Sequence, residues 1–174
     1  MCLSVTLILS VNFISAQQNE QRSELILLQN YLTGYCEEGE NETFVSFIQK
    51  NIELLEPTLI QYVQQGVPDE LIKKLEESLS RQYNERQKIL SENPNLGLSK
   101  EDMDIVSREN QESFMKRKID NYRSGFISQS IFGLSLSNSN ESQAIIERIA
   151  SDENNPYQWA AENALKKVYL KTNN

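Results

Sequence analysis

The sequence predicts an all-α protein, a compact bundle of roughly five to seven helices built on antiparallel helical hairpins. Three observations carry this. Apolar residues recur at intervals of three and four along most of the chain, the spacing of one buried helix face. Glycine and proline number only 6 and 4 in 174 residues, while Glu, Gln, Leu, Lys, Asn, Ser and Ile dominate, which disfavours a sandwich or barrel. Two long apolar stripes are joined by only Gly66, Val67 and Pro68, a connection short enough to suggest antiparallel neighbours.

The chain begins with an uncharged apolar run from Cys2 to Ile14, followed by Ser15-Ala16. A run of this length ending in small residues fits a signal peptide over residues 1–16, cleaved before Gln17, and is too short to span a bilayer comfortably. No lysine or arginine precedes it, a departure from the usual signal. Cys2 stands before the run, whereas a lipoprotein cysteine follows one. The expectation is an exported protein, secreted or periplasmic, whose residues 17–174 form a single all-helical domain without a membrane span.

Ser23 to Cys36 predicts a short first helix carrying Leu25, Leu28, Tyr31 and Leu32 or Tyr35 inward. Glu37 to Asn41 is its connection to the next element. Its clustered acids lack the alternating Asp/Asn ligands and closing glutamate of a calcium loop, so no metal is expected there.

Phe44, Ile48, Ile52, Leu55, Leu59 and Val63 then form a stripe, with Pro57 predicting a kink or a fresh start at Glu56. Gly66 suits a left-handed helix end, and Pro68 suits the first position of the next helix. That helix carries Leu71, Leu75 and Leu79, flanked by Ile72 and Tyr83 and closed by Ile89-Leu90, with Asp69 and Glu70 at the positive end of its dipole. The two stripes are expected to face each other as a hairpin around which the rest of the chain is organised.

Ser91 to Leu98 reads as a loop, and Ser99 with Asp102 as the cap of a further helical segment carrying Met103 and Val106. Met115, Ile119, Tyr122 and Phe126 restore the stripe farther on. Lys116, Arg117, Lys118 and Arg123 form a basic patch on this segment, either a solvated face balanced by nearby acids or a site for an anionic partner. Gly125 and Gly133 loosen the pattern, and Gly133 to Asn140 reads as a Ser- and Asn-rich loop.

Ala144, Ile145, Ile146 and Ile149 mark one more helix, Asp152 to Asn155 a turn, and Pro156 the start of a last helix bearing Tyr157, Ala160, Ala161, Ala164, Leu165 and Val168. The run SDENNPYQWAAENALKKV resembles the second half of a HEAT-repeat unit, with an aspartate after the first helix, a proline-containing turn, paired alanines, an alanine-leucine and a terminal branched residue. The resemblance implies Asp152 as the turn aspartate, Tyr157 as the leading apolar residue, Ala161, Ala164 and Leu165 as the packing face, and Val168 as the last core position. The arginine usual after the leading residue is Gln158 here. About residues 140–170 are covered and no second copy follows at that period, so one HEAT-like C-terminal hairpin is implied rather than a solenoid. Trp159 falls between the alanines and the polar side, where exposure would mark a contact surface.

The chain contains no histidine, which excludes Ser-His-Asp and Cys-His catalysis and histidine zinc sites. It has no glycine-rich phosphate loop, C-x-x-C or nucleophile elbow. Cys36, the only cysteine beyond the cleavage site, sits among Glu37, Glu38, Glu40 and Glu42, which disfavour a thiolate. Asn41-Glu42-Thr43 and Asn140-Glu141-Ser142 match the N-glycosylation triplet, relevant only in a eukaryotic secretory route. A formal charge of −8 repels nucleic acid and anionic membranes. The expectation is therefore a non-enzyme without cofactor or metal that acts by contact with another protein, through Trp159 or the basic patch. The alternative is a small acidic inhibitor or immunity-type protein that blocks a basic enzyme, and a carboxylate-pair hydrolase is a remote third.

Overall fold

The computed structural model describes residues 22–33, 42–92, 99 and 108–172, with side chains described as far as residue 166. Every regular element among them is a helix, and the helices pack closely as an all-α bundle. In chain order they are α1 (22–33), α2 (Glu42–Gln65), α3 (Asp69–Glu92), α4 (Gln111–Leu134), α5 (Asn140–Ala150) and α6 (Gln158–Thr172). The expected signal segment, Cys36, the Glu37–Asn41 connection, most of the Ser91–Leu98 loop and the Asp102 partner of Ser99 lie outside the described residues.

The centre of the bundle is α4, which packs against α2, α3, α5 and α6. Its second half buries Phe126, Ile127, Ser130, Ile131, Gly133 and Leu134, a face wide enough for several neighbours. The buried Ser130 hydroxyl donates to the Phe126 carbonyl one turn back at 2.8 Å, so it costs no unpaired polar group. Asn110 caps the helix by accepting the Ser113 N–H at 2.8 Å.

The sequence places the organising pair at α2 and α3, folded back on one another; the structure does not. The two share almost no close contact, and both pack on α4 instead. Tyr62 meets Phe126, Leu59 meets the Gly133 position, and Glu56 meets Ser137, so α2 runs antiparallel to the second half of α4. At the other end Tyr83 meets Phe114, and Arg86 meets Glu109 just ahead of α4, while Val67 and Leu71 join the main core. Helix α3 therefore continues against the first half of α4, and the chain bends at Gly66 without reversing. A short connection fixes how near two helix ends lie, whereas their angle is set by which faces can be buried. Helix α3 buries only Ile72 and Leu79, too little apolar surface to cover α2, which buries Phe44, Ile48, Leu55, Leu59 and Tyr62.

Helix α2 runs unbroken through Pro57. Proline deprives the Glu53 carbonyl of its partner, but Pro57 is exposed, so water can take that role. Gly66 ends the helix at φ +88°, its N–H donating to the Tyr62 carbonyl at 2.9 Å. A Cβ there would touch nothing within 4 Å, so Gly66→Ala should cost only the backbone penalty of a left-handed L-residue, about 1–2 kcal/mol. Urea titration should find this loss and a smaller one for Gly66→Asn, since asparagine tolerates that region better. Equal stability of all three proteins would exclude the bend geometry described.

Helix α1 lies on α2 through Leu28 and Leu32, with the Tyr31 ring 5.5 Å from Phe44 and 5.2 Å from Phe47. Helices α5 and α6 form the antiparallel C-terminal pair and add Ile145, Ile146, Ile149, Ala161 and Ala164 to the same core. Ala161 and Ala164 allow the close approach of the two helices. The predicted loop starting at Gly133 begins later, because α4 continues to Leu134 beneath Leu59.

Candidate contact surface

The predicted basic patch is distributed over the first turns of α4. Lys116 is exposed and bonded to Asp120 at 2.5 Å, and Arg117 gives two hydrogen bonds to Glu109 Oε1, at 2.9 and 2.8 Å. Lys118 places its ammonium 6.0 Å from the Phe114 ring centre. Arg123, two turns along, lies near enough to act on the Tyr157 hydroxyl, which burial pushes above its usual pKa against the opposing pull of that charge. Lys116 and Arg117 are thus each paired with an acid.

One cluster here joins residues far apart in the sequence. Glu109 sits between Arg86 of α3, at 2.7 Å, and Arg117 of α4, and its backbone carbonyl accepts from the Tyr83 hydroxyl at 3.2 Å. Both guanidiniums also lie over Phe114, at 5.4 and 5.8 Å. The Arg86 hydrogen bond and those of Arg117 outweigh burial and hold the Glu109 carboxyl below its usual range. The cluster ties α3 to the start of α4, and its cations are already engaged with Glu109. Its sequence signal was available: Arg86 continues the Leu75, Leu79, Tyr83 spacing, and an arginine on an apolar stripe requires a partner.

A second such cluster joins α2 to the C-terminal pair. Ser137, Ser139 and Ser142 all donate to Glu56 Oε1, Ser137 at 2.8 Å. Ser139 is also the N-cap of α5, accepting the Ser142 N–H at 3.1 Å. Burial acts to raise the Glu56 pKa, but the hydrogen bonds of Ser139, Ser142 and Ser137 together outweigh it and leave the carboxyl below its ordinary value. Such a carboxylate is a poor general base, and the three hydroxyls serve as its donors. Among the described residues no three metal-ligating side chains gather, and no helix is long and apolar enough to cross a membrane.

Trp159, the only tryptophan of the chain, stands in the first turn of α6 and is 73% exposed. Its neighbours hold the hairpin together: Asn155 accepts the Tyr157 N–H at 2.9 Å, Gln158 donates to the Ala150 carbonyl at 3.2 Å, and Ala161 is fully buried. Asp152 likewise accepts the Asn154 N–H at 3.0 Å in the turn. The hairpin thus fixes the backbone on which the indole is displayed. Burying a large apolar side chain is worth about 1.5–3 kcal/mol, and the fold forgoes most of that here. Ile26, Leu27 and Ile89 are also exposed, but isolated aliphatic residues at a surface are ordinary, whereas tryptophan is enriched where proteins meet.

No family model matches the chain, and neither a curated protein nor a solved structure matches it.

Proposed function

We propose that this is an exported, secreted or periplasmic protein that works by binding another protein through a face containing Trp159, with α5 and α6 serving as a HEAT-like hairpin that displays it. The observation that carries the reading is the outward placement of the sole tryptophan on a turn whose backbone is held by side-chain hydrogen bonds. Export is supported by the Cys2–Ile14 run and its Ser15-Ala16 ending. The hairpin is supported by the buried Ala161 and Ala164 and by the Asp152 turn.

Affinity capture from the extracellular or periplasmic fraction, with the wild-type chain and Trp159→Ala as parallel baits, tests the reading. The variant should lose the specific partner while its unfolding free energy stays within about 0.5 kcal/mol of wild type, because the side chain is exposed. Retention of the same partner by Trp159→Ala, or native material whose N-terminus is still Met1, would count against it. Salt separates the alternative. An apolar contact should survive rising ionic strength, whereas a complex steered by the charge of −8, as expected of an acidic inhibitor, should weaken sharply.

A further inference from the structure

We propose that Glu56 is an acid-released latch: while ionised it holds the α4–α5 connection and the first turn of α5 against α2, and its protonation frees that segment ahead of the rest of the fold. The geometry is specific to a charged acceptor. Three hydroxyls, from Ser137, Ser139 and Ser142, converge on one carboxylate oxygen. Each spends its only proton on Glu56, so a neutral carboxylic acid in the same place would be a weaker acceptor with a proton of its own to accommodate. The carboxylate also lies at the N-terminal end of α5, where the free N–H groups favour negative charge.

The latch is local because of what surrounds it. The flanking charges in register are Glu53, one turn back on α2, and Glu141, in the first turn of α5; both are exposed. From Ser124 through Ser139 there is no charged residue, so no second carboxylate on this stretch could take over as acceptor for the three hydroxyls. The core beneath consists of Leu55, Leu59, Ile131 and Leu134, which do not titrate. Because the folded carboxyl titrates below its unfolded value, the contribution is complete above the ordinary carboxyl range and is lost as pH falls through the lower, folded value.

Amide hydrogen exchange followed by NMR from neutral to acid pH tests this, with protection corrected for the intrinsic pH dependence of exchange. In the wild type, protection at Ser142 and Gln143 should fall in the acid range by about tenfold or more, the scale of one hydrogen bond to a charged group, while Ile127 to Ile131 of α4 keep theirs. Glu56→Gln should show the reduced protection already at neutral pH and no acid step. Simultaneous loss in both regions, or an acid step that persists in Glu56→Gln, would overturn the proposal. Should Glu56→Gln fail to fold, the carboxyl carbon-13 titration of Glu56 in wild type and Ser137→Ala decides. A wild-type midpoint below the ordinary carboxyl range that moves up on removal of one donor supports the latch, and an ordinary midpoint unchanged in the variant refutes it.

Discussion

Phe126→Ala should lower the unfolding free energy by about 3–5 kcal/mol, the range for emptying a buried aromatic site. Phe126 is fully buried on the central helix, with Tyr62 of α2 edge-on at 4.9 Å and Tyr122 stacked at 6.1 Å. Truncation removes the transfer free energy of the ring, leaves a cavity that α2 and α4 must close, and deletes two aromatic pairs worth about 0.5–1.5 kcal/mol each. Domains of ordinary stability have about 5–15 kcal/mol in all, so this one change could consume a third of it or more. Phe126→Leu restores much of the volume and should recover most of the loss, leaving about 1–1.5 kcal/mol for altered shape and missing ring pairs. Guanidinium or urea titration of the three proteins makes the comparison, with the midpoint moving and the slope unchanged if the folded state keeps its compactness. Should Phe126→Ala cost no more than a surface substitution, the placement of the core at the α2–α4 contact would be wrong.

The contrast between α2 and α4 shows which parts of this fold can be read from a chain. For α2, four of the six stripe residues, Phe44, Ile48, Leu55 and Leu59, are buried, because an outer helix has one inward side and its periodicity marks it. Tyr62 takes the place of Val63, since its ring packs on Phe126 while its hydroxyl accepts from Gln29 at 3.1 Å. For α4 only Phe126 of the expected Met115, Ile119, Tyr122 and Phe126 is fully buried, while Phe114, Ile127, Ile131 and Leu134 carry much of the load. A helix with several neighbours blurs its own period, and Gly133, which looks like an interruption in sequence, lets Leu59 of α2 pass close by in the fold. Periodicity identifies a buried face but not the helix that will cover it, which is why α2 and α3 looked like natural partners. The C-terminal pair was more legible because its turn depends on local chemistry, with Asp152 and Asn155 bonding backbone two residues on. Glu56 and Glu109 do not stand out among the twenty-five acids of the sequence, because only distant serines and arginines distinguish these two.

The spacing of α2 and α4 leads to the second large effect, expected for Gly133→Val. A Cβ at Gly133 would stand 3.2 Å from both terminal methyls of Leu59, and Leu59 is itself fully buried, so it has no open side to move toward. With alanine two terms oppose each other: the gain in helix propensity over glycine is about 1 kcal/mol, and Leu59 must yield by a few tenths of an ångström. Gly133→Ala should therefore lie near neutrality. Valine adds two methyl groups to the crowded position, and overpacking of this kind costs about 1–3 kcal/mol. Leu59→Ala alone should cost about 2–5 kcal/mol by leaving a cavity in the same place. In the double variant the valine methyls enter the space that Leu59 vacates, so the combined loss should fall short of the sum by about 0.5–3 kcal/mol. Thermal or urea unfolding of the four proteins closes this cycle. Strict additivity would mean that the two residues do not touch, and with that the close passage of α2 over the last turn of α4 would have to be abandoned.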